Sequence, residues 1–322
     1  MKIALLATGR IADTQLAPAI AQANGAELWS VLSRDKVRAR AFAVKHAAAS
    51  PQPAYDDLDE LLSDDALEAV VIASPDKLHA PQTLAALAAG KHVLTEKPMT
   101  TDMASANAMV EAARGAGLRL GIAYHLRWHA GHRALHRLMT GEARTGGGFG
   151  PIRHMRVQWP MQSDPGNWRA GAELARWWCL SGVGTHCLDQ IRWFMRPHNG
   201  EISKLVSVIN RSVYDGPHEE TAVIAMQFES GATAEMCNSV LFAGPRRMEI
   251  YAESGYALCE NTLGADGAGR IVTHEGDFGF AVRNPFVGEI EDFVAAVAQG
   301  RAPEVDGCEG LRNVELLLEA VA

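Results

Sequence analysis

Short apolar runs alternate with alanine-rich amphipathic stretches over the first 120 or so residues. Lys2–Ala7, Ala26–Leu32, Ala69–Ala73, Val93–Leu94 and Leu118–Ala123 read as strands with little polar alternation. Ile11–Ala23, Asp35–Ala48, Leu78–Ala89 and Asp102–Ala116 lie between them with helical spacing. Strands apolar along their whole length, separated by helices, predict a parallel sheet covered on both faces. Gly25, Gly90 and Gly117 fall just past predicted helices, where a left-handed cap residue is expected.

From residue 123 the pattern changes. Residues 151–159, 204–214, 220–229, 232–242 and 246–252 are β-rich, and Thr221–Phe228 alternates apolar with polar. Glu229-Ser230-Gly231 between two such runs reads as a hairpin turn, and alternation predicts a mostly antiparallel sheet with one covered face. Helices are predicted near 130–140 and 184–195, with a final pair over Pro285–Gln299 and Cys308–Val321. Gly146-Gly147-Gly148 reads as a flexible turn. The fold class is therefore α/β. A Rossmann-type, doubly wound domain is expected over 1–122, and an α/β domain for substrate binding and oligomerisation, with a large open sheet, over 123–322.

Composition narrows the function. A net charge of −8 argues against a nucleic-acid or anionic-membrane partner. No apolar run approaches a membrane span, and the opening strand lacks the form of a signal peptide. The five cysteines are scattered with no C-x-x-C pair, which predicts a reducing, cytoplasmic setting. His125, His129, His132 and His136 have helical spacing, but Arg127, Arg133 and Arg137 crowd them and no carboxylate interleaves. No metal site is expected from them.

The first strand runs into Ala7-Thr8-Gly9-Arg10-Ile11-Ala12. Against the dinucleotide pattern G-x-G-x-x-G/A, Gly9 and Ala12 occupy the second and third positions and Ala7 replaces the first glycine. An alanine there implies a backbone angle that alanine adopts. The second strand ends in Leu32-Ser33-Arg34-Asp35, with Lys36 and Arg38 close behind. A guanidinium suits a 2′-phosphate, so NADP is favoured, whereas Asp35 keeps NAD open. Ser33 could instead simply cap the following helix. A later strand ends in Glu96-Lys97-Pro98, which places a lysine where open α/β sheets react with their ligands.

These features, with three others, resemble the Gfo/Idh/MocA oxidoreductases. The family's E-K-P is matched by Glu96, Lys97 and Pro98, and its T-P-N-x-x-H by Ser74-Pro75-Asp76-Lys77-Leu78-His79. Its Y-x-x-R-[FW] is matched by Tyr124-His125-Leu126-Arg127-Trp128, and its G-x-H-x-x-D by Gly184-Thr185-His186-Cys187-Leu188-Asp189. The resemblance implies hydride transfer between a nicotinamide and a sugar, inositol or related polyol. It implies that Lys97 lies near the nicotinamide and the reacting oxygen, that His186 is the acid/base, and that Asp189 binds substrate hydroxyls. Thr8, Gly9, Arg10, Ile11, Ser33, Arg34, Arg38, Ser74, Pro75, His79 and Glu96 are the candidate cofactor residues. Tyr124, His125, Arg127, Trp168 and Arg169 join Lys97, His186 and Asp189 as candidate substrate residues. Many members carry an acidic residue four positions before the histidine, where this chain has Gly182.

Proton transfer needs a group that titrates near working pH. Histidine does so unaided, while a lysine either loses its charge through burial or keeps it and stabilises an alkoxide. Of Trp159, Trp168, Trp177 and Trp178, two are expected to be core, and Trp168 is the better substrate candidate because its loop is polar. Two other functions fit the same motifs: an NAD-dependent glycoside hydrolase and a non-catalytic dinucleotide-binding regulator. A homo-oligomer, dimer or tetramer, is expected.

Overall fold

Six parallel strands make the first sheet: β1 (Lys2–Leu6), β2 (Glu27–Leu32), β3 (Ala54–Tyr55), β4 (Ala69–Ile72), β5 (His92–Glu96) and β6 (Leu120–Ala123). Their order is β3-β2-β1-β4-β5-β6, so the direction of winding reverses between β1 and β4. The computed structural model describes residues 1–141 and 148–322. The predicted Gly146-Gly147 part of the glycine turn lies outside the described residues.

The strands are buried because they are apolar on both faces: Ile3 to Leu6 and Ala69 to Ile72 are fully covered. The covering helices are α1 (Ala17–Gln22), α2 (Lys36–Lys45), α3 (Leu58–Leu62), α4 (His79–Ala88) and α5 (Met103–Ala116). Gly25, Gly90 and Gly117 have φ of 79°, 76° and 68°, as expected of left-handed caps. The stretch predicted as one regular helix over Ile11–Ala23 instead widens into a π-helical turn at Ala12–Leu16. Pro18 in the first turn of α1 has no N–H to return to the preceding turn.

The second sheet has eight strands in the order β14-β13-β12-β11-β7-β10-β9-β8. They are β7 (Ile152–Pro160), β8 (Ile202–Asn210), β9 (Thr221–Phe228), β10 (Thr233–Ser239), β11 (Arg247–Ala252), β12 (Tyr256–Glu260), β13 (Arg270–Thr273) and β14 (Gly276–Asp277). All neighbours are antiparallel except β7 and β10. Along β9, Ala222, Ile224, Met226 and Phe228 are buried while the residues between them are not, so one face carries the core. Helices α6 (Ala130–Met139) and α7 (Thr185–Asn199) accompany this sheet, and α8 (Pro285–Gln299) and α9 (Gly307–Ala320) follow.

The chain divides into two compact units, Met1–Tyr124 with Phe286–Glu315 and His125–Pro285 with Leu316–Ala322. Within the first, Ile122 donates its N–H to the Val305 carbonyl, so later chain covers the β6 edge. Among the described residues, no helix is long and apolar enough to cross a membrane.

Candidate active site

In the first unit, the candidate residues fall at the carboxyl ends of four neighbouring strands. Thr8 and Gly9 follow β1, Ser33 and Arg34 follow β2, Ser74 and Pro75 follow β4, and Lys97 follows β5. Ligands of open α/β sheets bind outside such ends, where the winding reverses. A Cβ built on Gly9 would meet nothing within 4 Å. That leaves the backbone open beside Arg10, Ile11 and Ala12, at the start of a helix whose first amides have no acceptor in the preceding turn. This suits the pyrophosphate of a dinucleotide.

Ala7 overturns its expectation. Its φ is +92°, in the region that favours glycine. Its N–H still bonds the Leu32 carbonyl at 3.0 Å, so the chain must leave the sheet sharply at this residue. The turn prevails over the side-chain preference at a cost of about 1 kcal/mol.

The β2 end carries the residues of both cofactor readings. Asp35 accepts from Val37 N–H at 2.8 Å and Arg38 N–H at 3.1 Å, capping α2. Ser33 is not the cap. Its buried Oγ receives a hydrogen bond from Thr8 at 3.4 Å and so ties the glycine turn to the β2 end. Arg34 is exposed.

His79 joins two of the strand ends. Its Nδ1 lies 2.8 Å from the Pro98 carbonyl oxygen and its Nε2 lies 2.8 Å from that of Ser74. Lys97 is buried, its peptide bond to Pro98 is cis, and its N–H donates to the Glu96 carboxylate at 3.2 Å. Tyr124, the last residue of this stretch, is buried as well.

The second unit gathers a different set. His186, on the first turn of α7, is buried, with its ring stacked on Trp159 at 5.7 Å and 24°. His125 meets the same ring edge-on at 4.8 Å. Arg127, two residues further on, donates from Nε and Nη2 to both carboxylate oxygens of Asp189, with a shortest contact of 2.6 Å. Asp189 stands three residues after His186, so the two share one face of α7.

Gly182 lies in a π-helical turn, Leu180–Gly184, that leads into α7, and a Cβ on it would meet open space. Beside it, Ser181 accepts from Arg169 Nε at 3.1 Å. The Arg169 guanidinium stacks over Trp168 at 4.1 Å. Trp177 and Trp178 are the two core tryptophans.

The remaining histidines of the run serve the packing of α6. His132 bonds the Thr262 hydroxyl at 2.8 Å, His129 the Ala268 carbonyl at 3.1 Å, and His136 the Trp193 carbonyl at 3.1 Å. Burial holds the His129 and His132 rings below the usual imidazole range. Among the described residues, no three His, Cys, Asp or Glu groups converge as metal ligands would.

Sequence reasoning missed the stacking of Trp159 on His186, although both residues had been noticed. It also missed Glu219, whose buried carboxylate accepts from the amides of Trp178 and Leu180 at 2.8 and 2.9 Å.

Comparison with known proteins converges. Residues 1–124 match the model of an oxidoreductase family with an NAD-binding Rossmann fold, and residues 140–258 match the GFO/IDH/MocA C-terminal domain. A 1,5-anhydro-D-fructose reductase of Ensifer adhaerens is 31% identical over 217 residues, which are 66% of this chain and 62% of that enzyme. A D-xylose 1-dehydrogenase (NADP(+)) of Haloferax volcanii is 27% identical, covering 99% of this chain and 97% of its own. The crystal structure of an aldose-aldose oxidoreductase from Caulobacter crescentus superposes with a TM-score of 0.89 over 100% of this chain and 96% of its own, at 22% identity.

Proposed function

This chain belongs to the Gfo/Idh/MocA oxidoreductases, and on that premise we propose that it transfers a hydride between NADP and a CH–OH carbon of a sugar, inositol or related polyol. The first unit holds the cofactor and the second binds the substrate. Thr8 and Gly9 after β1 and Ser74 and Pro75 after β4 would hold the dinucleotide, whose nicotinamide would accept or give the hydride. The observation that carries the reading is Lys97, buried at the end of β5 beside loops that suit a dinucleotide.

The roles follow from charge and reach. Lys97 is the electrostatic partner that stabilises the alkoxide developing as hydride leaves carbon. His186 takes the hydroxyl proton and returns it in the reverse direction. Trp159 and His125 hold the imidazole, and Glu96 orients Lys97 through its backbone N–H. Arg34, with Arg38 in the first turn of α2, would hold the 2′-phosphate, and Asp35 caps that helix through Oδ1, which supports NADP over NAD. Trp168 and Arg169 line the substrate's approach.

The relatives named above are dehydrogenases and reductases, which disfavours the hydrolase and the regulator. Five free cysteines fit a reducing, cytoplasmic setting. Exposed Val206, Val208 and Val223 on β8 and β9 support self-association into a dimer or tetramer. Light scattering tests this: Val208→Lys is expected to lower the mass, and a wild-type monomer refutes it.

The central experiment is a turnover screen of sugars and inositols against NADP and NAD, with Lys97→Ala and His186→Ala alongside. Net NADPH formation that both substitutions lower by about a hundredfold or more supports the proposal. Unchanged turnover in Lys97→Ala sinks it.

A further inference from the structure

We propose that Glu219 is a positioning residue for His186, holding the entrance of the helix that carries the imidazole. The inference rests on the catalytic role proposed for His186. It adds a residue that none of the motifs contains.

Helical geometry runs unbroken from Cys179 through the π-helical turn Leu180–Gly184 into α7. The amides at such an entrance have no acceptor within the helix. No side chain of the helix's own cap residue supplies one. Glu219, 39 to 41 residues later in the chain, does so: one carboxylate oxygen accepts from both Trp178 and Leu180. A negative group at this position also suits the helix dipole. The backbone closes the contact, since the Cys179 N–H donates to the Glu219 carbonyl at 3.2 Å.

Glu219 is the middle residue of a clasp. His218 Nε2 lies 3.2 Å from the Gly171 carbonyl oxygen, in the loop that carries Trp168 and Arg169. Glu220 accepts from the amides of Val213 and Tyr214 at 2.9 and 2.5 Å. The Glu219 and Glu220 carboxylates thus organise different loops. The two loops touch where the rings of Trp178 and Tyr214 lie 5.6 Å apart. His218 and Glu219 thus hold segments ahead of α7, and Glu220 holds the later loop whose Tyr214 packs on Trp178.

The register of α7 depends on that entrance. His186 stands six residues after Leu180, and Gly184 between them is packed too closely for a side chain. A Cβ there would come within 2.8 Å of Leu180 and 3.1 Å of the Asn238 side-chain oxygen. A slip at Trp178–Leu180 therefore moves the start of α7 and the His186 ring with it.

The clasp also has a pH response. Glu219 is 1% exposed, and burial pushes its carboxyl up to about 7. The amides of Leu180 and Trp178, its own amide and the Arg211 guanidinium pull the other way. The buried Cys179 thiol faces it, and His218 and Glu220 flank it in sequence. The charge on the cap therefore changes close to neutrality.

The test compares wild type, Glu219→Gln, Glu219→Ala and His186→Ala. One readout is kcat and KM against pH with a panel sugar that the wild type turns over. The other is the nitrogen-15 imidazole resonance of His186, which needs no substrate. Glu219→Ala is expected to lower kcat about tenfold with KM within about twofold, and to shift the His186 resonance. Glu219→Gln keeps an acceptor oxygen, so it should restore most of kcat while losing the inflection near pH 7. Wild-type kcat, pH profile and resonance in both Glu219 variants overturn the inference. Wild-type turnover in His186→Ala overturns the catalytic reading instead, and the resonance still reports on the clasp.

Discussion

The ion pair between Arg127 and Asp189 offers the sharpest energetic test of the second unit. Its side chains are 4% and 0% exposed, and three hydrogen bonds of 2.6 to 3.2 Å join them. At about 3 Å with an effective dielectric near 20, the gross attraction is about 5 kcal/mol, and the loss of hydration opposes most of it. The net value of the pair is small, but the cost of stranding one member is not. Asp189→Ala leaves a guanidinium in a site that water does not reach, at a cost of about 3–5 kcal/mol. Arg127→Met takes the guanidinium away from a buried carboxylate at a similar cost, whereas Arg127→Met with Asp189→Leu removes both charges and should fall within about 2 kcal/mol of wild type.

Equilibrium urea unfolding at neutral pH, followed by tryptophan fluorescence, measures all four corners of this cycle. Trp128, Trp159, Trp168, Trp177, Trp178 and Trp193 belong to the second unit and only Trp29 to the first, so the signal reports on the unit that holds the pair. The expected coupling energy is at least about 2 kcal/mol. Single variants that lose less than about 1 kcal/mol, or costs that simply add, would refute the reasoning. Because Arg127 follows His125 by two residues and Asp189 follows His186 by three, the pair also fixes where those two rings meet.

Four shorter predictions follow from the same geometry. Arg34→Ala should raise KM for NADP by about 10- to 100-fold and leave KM for NAD nearly unchanged, since a charge-assisted phosphate bond contributes about 1.5–3 kcal/mol; a wild type that prefers NAD in steady-state kinetics defeats it. Asp35→Ala should cost about 1 kcal/mol in urea unfolding through loss of the α2 cap, with KM for NADP unaltered. Ala7→Gly should stabilise the first unit by about 1 kcal/mol, because φ of +92° suits glycine, and a destabilised variant contradicts the strain argument. The Glu219 carboxyl stands at about 7 when folded against an ordinary 4.5, so its stabilising contribution is complete below about 4.5 and is lost as pH rises through 7, about 3 kcal/mol in all; the stability difference between wild type and Glu219→Gln should shrink or change sign across that window, and a difference flat with pH argues against the shift.

What the sequence revealed and what it concealed divide along a physical line. The parallel strands were legible because strands covered on both faces are apolar throughout, and Gly25, Gly90 and Gly117 were legible because their caps call for positive φ. The grouping of Thr8, Ser33, Ser74 and Lys97 at neighbouring strand ends was legible because a doubly wound sheet brings successive strand ends together, so that order along the chain becomes proximity in space. The two-residue strands β3 and β14 are too short to show any period, and β12 and β13 are too short and mixed to stand out. The parallel pairing of β7 with β10 is a property of the whole sheet and not of either strand. The sequence allows a cap at Ser33 and a ribose role at Asp35, and only the positions of the Val37 and Arg38 amides show that Asp35 is the cap. The run from His125 to His136 carries the spacing of a metal site, yet His129 and His136 face backbone carbonyls and His132 a hydroxyl. Glu219 is the extreme case. Its partners are the amides of Trp178 and Leu180, and nearly every residue has an amide, so nothing in the identity of either partner marks the contact. A motif search finds side chains that act on ligands. A carboxylate that acts on the backbone leaves no such pattern, even where the position of His186 depends on it.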